Sequence, residues 1–497
     1  MSAPSPRHVR FRIGRTIQCL CAIALFAWTD LACPHVFAEE RWISPETDLK
    51  SLLKKVKPGD TLVLANGTWS DKDLRFEQLP GTADAPITLR AESPGKVILT
   101  GAIQFRVSGR HVTVSGLTFR NPSGASNVFE FRTHSERLAH HCRITDCRFE
   151  QTQDGDSKDS RWLNVYGTNN RVDHCYFAGK RNRGTTLVVW VHDQPGRHRI
   201  DHNRFGPRPE LGKNGGETIR IGTSETSTLD CFTVVEQNYF DRCNGEGEVI
   251  SNKSCGNVYR HNLFERCEGA LTLRHGNRCV VDGNVFLGHG VGRTGGVRII
   301  GEQHRVTNNY FEGLRGDAER AGVCFMNGLS DGPLNGYAPV RGAVVAYNTF
   351  LDCKVSMEFG VKLKENPVAP SLCRINHNVF RPGKWELFRV EQEPVEFTWL
   401  HNKYQAGKTR GAELVSIDRV DIELTRAADG LLRPTEVGSL AVVEDLDITL
   451  DIDGHPRNAR IAGCDDPTNA FVDRQLTRIV GPSWMKLDSP TPVSSGL

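Results

Sequence analysis

The chain has 497 residues, 24% of them charged, 38% hydrophobic and 8% aromatic, with a formal net charge of +3. That length suggests two or three average domains unless one elongated architecture uses it all. The balance excludes a disordered polyelectrolyte and a membrane bundle, and 48 Gly against 4 Met point to turn-rich β-structure.

Residues 1–38 read as an export leader. Arg7, Arg10, Arg12 and Arg15 form a basic start, and Thr16 to Trp28 is an apolar run shorter than the ~20 residues of a membrane helix. Val36-Phe37-Ala38 supplies small residues for a cut after Ala38. The expected mature chain is secreted or periplasmic, without a membrane span. The leader takes away four Arg and Asp30, leaving 58 basic against 58 acidic residues. A neutral chain exerts no global pull on a polyanion, which argues against nucleic acid as partner.

Twelve of the 15 Cys lie beyond the leader, and no C-x-x-C pair suggests zinc or a thioredoxin-type centre. Export permits disulfides. Yet Cys231, Cys243, Cys255, Cys267 and Cys279 recur every 12 residues, as a structural period would. The spacing leaves both readings open.

Asp48 to Val56 has helical spacing and is expected to cap the open N-terminal end of a repeating region. In that region a phrase of Asn or Cys, any residue, then an aromatic recurs from Cys147-Arg148-Phe149 to Asn402-Lys403-Tyr404. The steps between its aromatics are 28, 28, 35, 24, 22, 25, 39, 30 and 24 residues. A base period in the twenties with looped-out insertions indicates a β-solenoid. An Asn at one corner of each rung stacks on its neighbours ~4.8 Å away, and the aromatic two residues later stacks inside the coil. The fold class is therefore all-β, a right-handed parallel β-helix. It is expected over residues 39–405, with 406–497 as irregular final rungs and a closing segment of the same domain.

Four middle rungs carry polar residues where strands belong. They read Asn214-Gly-Gly-Glu217-Thr-Ile-Arg220, Glu246-Gly-Glu248-Val-Ile-Ser-Asn-Lys253-Ser, Leu273-Arg274-His275-Gly and Gly296-Val-Arg298. In an extended strand Glu246 and Glu248 share a face. A hard cation would relieve their repulsion, with Asn214 adding an amide oxygen, but Glu–Arg pairing on a solvated face explains the spacing equally. Lys253, Arg274, Arg298 and Arg220 occupy similar places in successive rungs, an expected column of four cations. His275 suits either a catalytic role or a turn.

At these residues the sequence resembles polysaccharide lyase family 6, the β-helical family of chondroitinase B and many alginate lyases. The carrying motifs are Asn214–Gly222, Glu246–Ser254 and Arg274–Gly276, the last beginning 21 residues after Lys253. The resemblance implies Ca²⁺ bound by Asn214, Glu246 and Glu248. It implies Lys253 as Brønsted base, Arg274 as Brønsted acid, and His275 and Arg298 supporting substrate, beside Arg220. Gly247 departs from the family's frequent Ala and is expected to loosen its strand. A guanidinium pKa above ~12 leaves a second role open, in which Arg274 stabilises the leaving oxygen while water or His275 delivers the proton. The implied reaction is β-elimination on an anionic uronate polysaccharide, alginate first and dermatan sulfate second. A β-helical glycoside hydrolase or a non-catalytic carbohydrate-binding solenoid would have little use for Lys253 and Arg274. The sequence assigns no oligomeric state.

Overall fold

The computed structural model describes residues 38–153, 158–362, 366–411, 416–443, 448–469 and 478–486. The leader expected at 1–38 lies, except for Ala38, outside them. Among the described residues no helix is long and apolar enough to cross a membrane.

Short parallel strands stack into three long sheets, making a parallel β-helix. Sheet A begins at Glu40–Ile43 and sheet B at Gly67–Ser70, each with 14 strands, and sheet C has 15. Each rung passes through A, a tight corner, B, a loop of variable length, C, and back to A. Ala38 to Leu497 forms one compact unit.

The recurring phrase builds the A-to-B corner. In ten rungs from Asp146 to His401, the residue before the phrase turns the chain with φ between 49° and 62°. That left-handed turn costs non-glycine residues ~1–2 kcal/mol each. The following Asn offsets this through a buried ladder. Asn262 donates its backbone N–H and its Nδ2 to Asn284 Oδ1 at 3.0 and 2.9 Å. Asn284 does the same to Asn309, and Asn309 to Asn348. Inside, Phe205, Phe240, Phe264, Phe286, Phe311 and Phe350 stack with centroids 4.6–4.8 Å apart. One rung repeat thus satisfies a buried amide and a ring contact together.

The twelve described cysteines are all buried free thiols. Their 12-residue step is half a rung: Cys231, Cys255 and Cys279 share one corner, Cys243 and Cys267 another. The period is therefore structural. The expected helix is shorter than its sequence pattern, Leu49–Leu53, capped by Asp48, with its leucines packed on the first core rungs.

Beyond Ile417–Arg419 the chain leaves the coil and turns back along the outside of sheet B. Leu431, Ile452 and Val480 cover Tyr239, Leu263 and Tyr310. Trp484 Nε1 reaches the Asp146 carbonyl at 2.9 Å. The motif residues lie instead on sheet C and the loops that enter it.

Candidate active site

The motif residues gather on the outer face of sheet C and the B-to-C loops entering it. Register decides which of them line up. Arg220 pairs with Ser251, Ser251 with Thr272, and Thr272 with Arg298. Arg220 and Arg298 therefore share one column. Lys253 lies in the next, pairing with Gly222 on one side and His275 on the other. The register shifts between Asn252 and Lys253, so Arg274 is an extra residue in a bulge. The expected column of four cations is thus two columns and a bulge. A bulge re-aims a side chain where a regular ladder would stack it.

The acidic side is built by loops. Gly215 and Gly216 donate their N–H groups to Glu246 Oε2 at 2.7 and 2.8 Å, which brings the Asn214 loop against the Glu246 loop. Burial, then the neighbouring Glu217 and Glu248, push the Glu246 carboxyl up to about 7 against the opposing N–H groups. Glu217 is 5% exposed, and its Oε2 has no hydrogen-bond partner among the described residues. Glu217 stands inside the Asn214 motif, yet a single Glu beside two glycines gave no spacing signal. Glu248 Oε1 lies 3.4 Å from Arg298 Nη1 and 3.8 Å from Arg274 Nε.

An orphaned buried carboxylate oxygen beside two further carboxylates and an exposed Asn is an all-oxygen donor set. It fits a hard divalent cation. Among the described residues no three His, Cys, Asp or Glu side chains form a preformed metal cluster, so Asn214 and open positions would complete the shell. Gly247 makes room here: a Cβ would come 2.7 Å from Arg320 Nη2. A methyl there would press on the far end of the flexible Arg320 side chain.

The basic side is held from beneath. Asn252 is fully buried and donates Nδ2 to the carbonyls of His275 and Ser254 at 2.7 and 2.9 Å. Its Oδ1 accepts from Asn257 Nδ2 and the Tyr259 hydroxyl at 2.8 and 2.7 Å. These bonds fix the strand end that carries Lys253 and the bulge that carries Arg274. Lys253 Nζ has no hydrogen-bond or ion-pair partner among the described residues, and the side chain is only half-buried.

Arg274 lies 4.0 Å over the Tyr337 ring and donates Nη2 to the Asn335 carbonyl at 3.3 Å. Burial lowers its pKa, and its Nη1 is buried without a partner. Arg298 is 6% exposed and donates Nε to the Glu319 carbonyl at 3.1 Å. His275 is buried 3.3 Å from Ser224 Oγ, and burial, then Arg274 and Lys253, push it down to about 3. Its ring is therefore neutral near pH 7. Tyr337 and Asn335 come from the long insertion before Val344, whose path no sequence period reveals.

The family model described as chondroitinase B matches residues 43–381. The chain belongs to polysaccharide lyase family 6. Two solved members of this family resemble it most informatively. The family 6 alginate lyase AlyGC is 36% identical with a TM-score of 0.77, covering 91% of this chain and 59% of AlyGC. The chain thus spans about three-fifths of that relative's length. A mannuronic acid specific family 6 lyase from human gut microbiota is 32% identical with a TM-score of 0.66. That match covers 78% of this chain and 92% of the relative. Among curated protein sequences none matches the chain.

Proposed function

We propose that this family member is a secreted lyase that cleaves a uronate polysaccharide, alginate first, by Ca²⁺-assisted β-elimination. The observation that carries the reading is an amine, Lys253 Nζ, left without a partner among the described residues on the strand next to a partly buried guanidinium, Arg274, whose Nη1 is itself unpartnered. The names of the two relatives, an alginate lyase and a mannuronic acid specific lyase, support alginate. The family model's description keeps dermatan sulfate as the second substrate.

The chemistry arises from these groups. The uronate C5 proton is weakly acidic because its removal adds charge beside a carboxylate that is already anionic. Lys253 takes that proton and becomes an ammonium. The electron pair forms the C4–C5 double bond, and the C4–O bond breaks. Arg274 stabilises the leaving oxygen, which gains its proton from Arg274 or water. Neutral His275 keeps the Lys253 strand in place against Ser224 and adds no charge. Arg298 and Arg220 attract the substrate carboxylates. Asn214, Glu246 and Glu248, with Glu217 behind them, would hold Ca²⁺. Such a cation would supply positive charge against the developing enolate.

The test monitors unsaturated-uronate absorbance on alginate, its mannuronate and guluronate blocks, and dermatan sulfate. New chromophore on alginate is the expected result. New reducing ends without chromophore would mean hydrolysis, and neither signal would mean binding alone.

A further inference from the structure

On the N-terminal side of Lys253, sheet C carries an arrangement in which Arg161 and Arg183 have no part in the reaction described above and Arg220 borders both. A cavity of about 290 Å³ is lined by Arg161, Arg183 and Arg220, with Asp159 and Glu217. The Trp190 ring organises it. Tyr166 stacks on Trp190 at 5.6 Å and 6°, and the indole Nε1 donates to Asn164 Oδ1 at 3.2 Å. Against this fixed ring lie the guanidiniums of Arg161 and Arg220, at 5.4 and 5.5 Å from its centroid. Cation–π contact holds them without neutralising them.

Neither Arg161 nor Arg220 has an ion-pair partner among the described residues, and Arg220 Nε is buried with no hydrogen bond. Among the described residues the one ion pair of Arg183 is with exposed Asp159, at 3.8 Å, a weak pair. Glu217 lies within electrostatic reach of Glu246 as well as Arg220. Among the described residues that line the cavity, three cations face two acids. Among guanidiniums, this geometry selects a carboxylate.

The path from cavity to base is clear. Arg161–Val165, Leu187–Val189, Ile219–Gly222 and Glu248–Lys253 pair in succession, three rungs or ~14 Å at ~4.8 Å each. Gly222, beside Lys253, has φ +80°, and a Cβ there would meet the Lys253 carbonyl at 2.5 Å. It leaves no side chain between Trp190 and Lys253. In the opposite direction the insertion that carries Tyr337 packs over Ile300, Cys324 and Met326 and covers the sheet.

We propose that Arg161, Arg183 and Arg220 form a second carboxylate subsite, which holds another uronate of the same substrate chain further from the scissile bond. This rests on the lyase reading, because it takes a polyuronate as ligand. Its consequence is length dependence: long oligomers reach the cavity and dimers do not.

The test is calorimetric binding of saturated alginate dimer and hexamer to Lys253→Ala protein, with and without Arg161→Ala or Arg183→Ala. One lost charge-assisted contact should weaken hexamer binding about tenfold and leave dimer binding within about twofold. A hexamer whose carboxyls are reduced to alcohols should bind the two proteins equally, and Arg161→Lys should recover part of the loss. Should Arg161→Ala not fold by its melting curve, exposed Arg183→Ala reads the same contact. Unchanged hexamer affinity, or equal losses for dimer and hexamer, would overturn the subsite. Wild-type turnover, run in parallel, separates the two readings. Arg161-dependent hexamer binding without unsaturated product keeps the subsite and removes the lyase. Unsaturated product with Arg161-independent binding does the reverse, and neither signal removes both.

Discussion

Lys253 is paired in register with His275 and not with Arg274, because Arg274 is the surplus residue of a bulge. The base and the guanidinium therefore project from adjacent strands without competing for one ladder position. Asn252 ties the two strands together directly behind them.

Arg274→Lys is expected to lower kcat on alginate by about 10²-fold, the loss typical when a transition-state donor is removed. An ammonium cannot lie flat on Tyr337 while also reaching Asn335 and the leaving oxygen. Lys253→Ala is expected to lower kcat by ~10³-fold, with melting temperature unchanged because Lys253 Nζ bonds nothing among the described residues. Steady-state rates from chromophore formation check both. Arg274→Lys retaining a tenth or more of kcat would remove the planar fork from the mechanism.

Ca²⁺ at about a hundred times its Kd should stabilise the fold by ~2.7 kcal/mol if it binds the folded state alone. A chelator should lower the melting temperature of the wild-type protein, and Glu246→Gln should abolish that response. Calorimetric melts with Ca²⁺, with Mg²⁺ and with chelator read this independently of turnover. An identical response in Glu246→Gln would move the cation elsewhere.

The coil was legible because its signal repeats. Asn284 and Phe286 each need an equivalent partner one rung away, so the same pair must recur in sequence at the rung length. The candidate residues were picked out by three motifs, but their arrangement was not legible. Whether Arg274 stacks on Lys253 or bulges past it depends on where two strands enter a corner, and the corner is fixed by buried Asn252 and Asn257. Tyr337 was invisible for a different reason: an insertion's path is set by what it packs against. The cysteine spacing was legible as a structural period, and the structure shows why: a 12-residue step marks two corners of one rung, with every described thiol free.

Asn284→Ala should destabilise the coil by about 2–3 kcal/mol. The change removes the acceptor of the buried Asn262 N–H and one of the two acceptors of its amide, and it takes the side-chain donor from the Tyr259 carbonyl and from Asn309 Oδ1, which keeps the backbone N–H of residue 284. Denaturant midpoints at constant slope measure it. A loss below ~0.5 kcal/mol, within the range of ordinary surface substitutions, would mean that the ladder accompanies the fold without stabilising it.

The outer edge of sheet A gives the pH dependence. Asp201 is fully buried at its side chain and accepts from Arg171 Nε and Nη2 at 2.8 and 2.6 Å and bonds His202 at 2.8 Å. Although burial raises its pKa, bonds to His202 and Arg171 outweigh this and hold the carboxyl down at about 2 against 3.8. A depressed folded pKa means that the unfolded chain binds the proton first as pH falls. The contribution is therefore complete above pH ~4 and disappears as pH drops through ~2. Solvent screening at the half-exposed arginines keeps it on the order of 1 kcal/mol. Asp201→Asn should accordingly be less stable than the wild type at pH 6, with the gap narrowed at pH 2 and closed about one pH unit below it, urea unfolding being the measure. A gap as large at pH 2 as at pH 6 would assign the effect to packing at the corner and remove charge from the explanation.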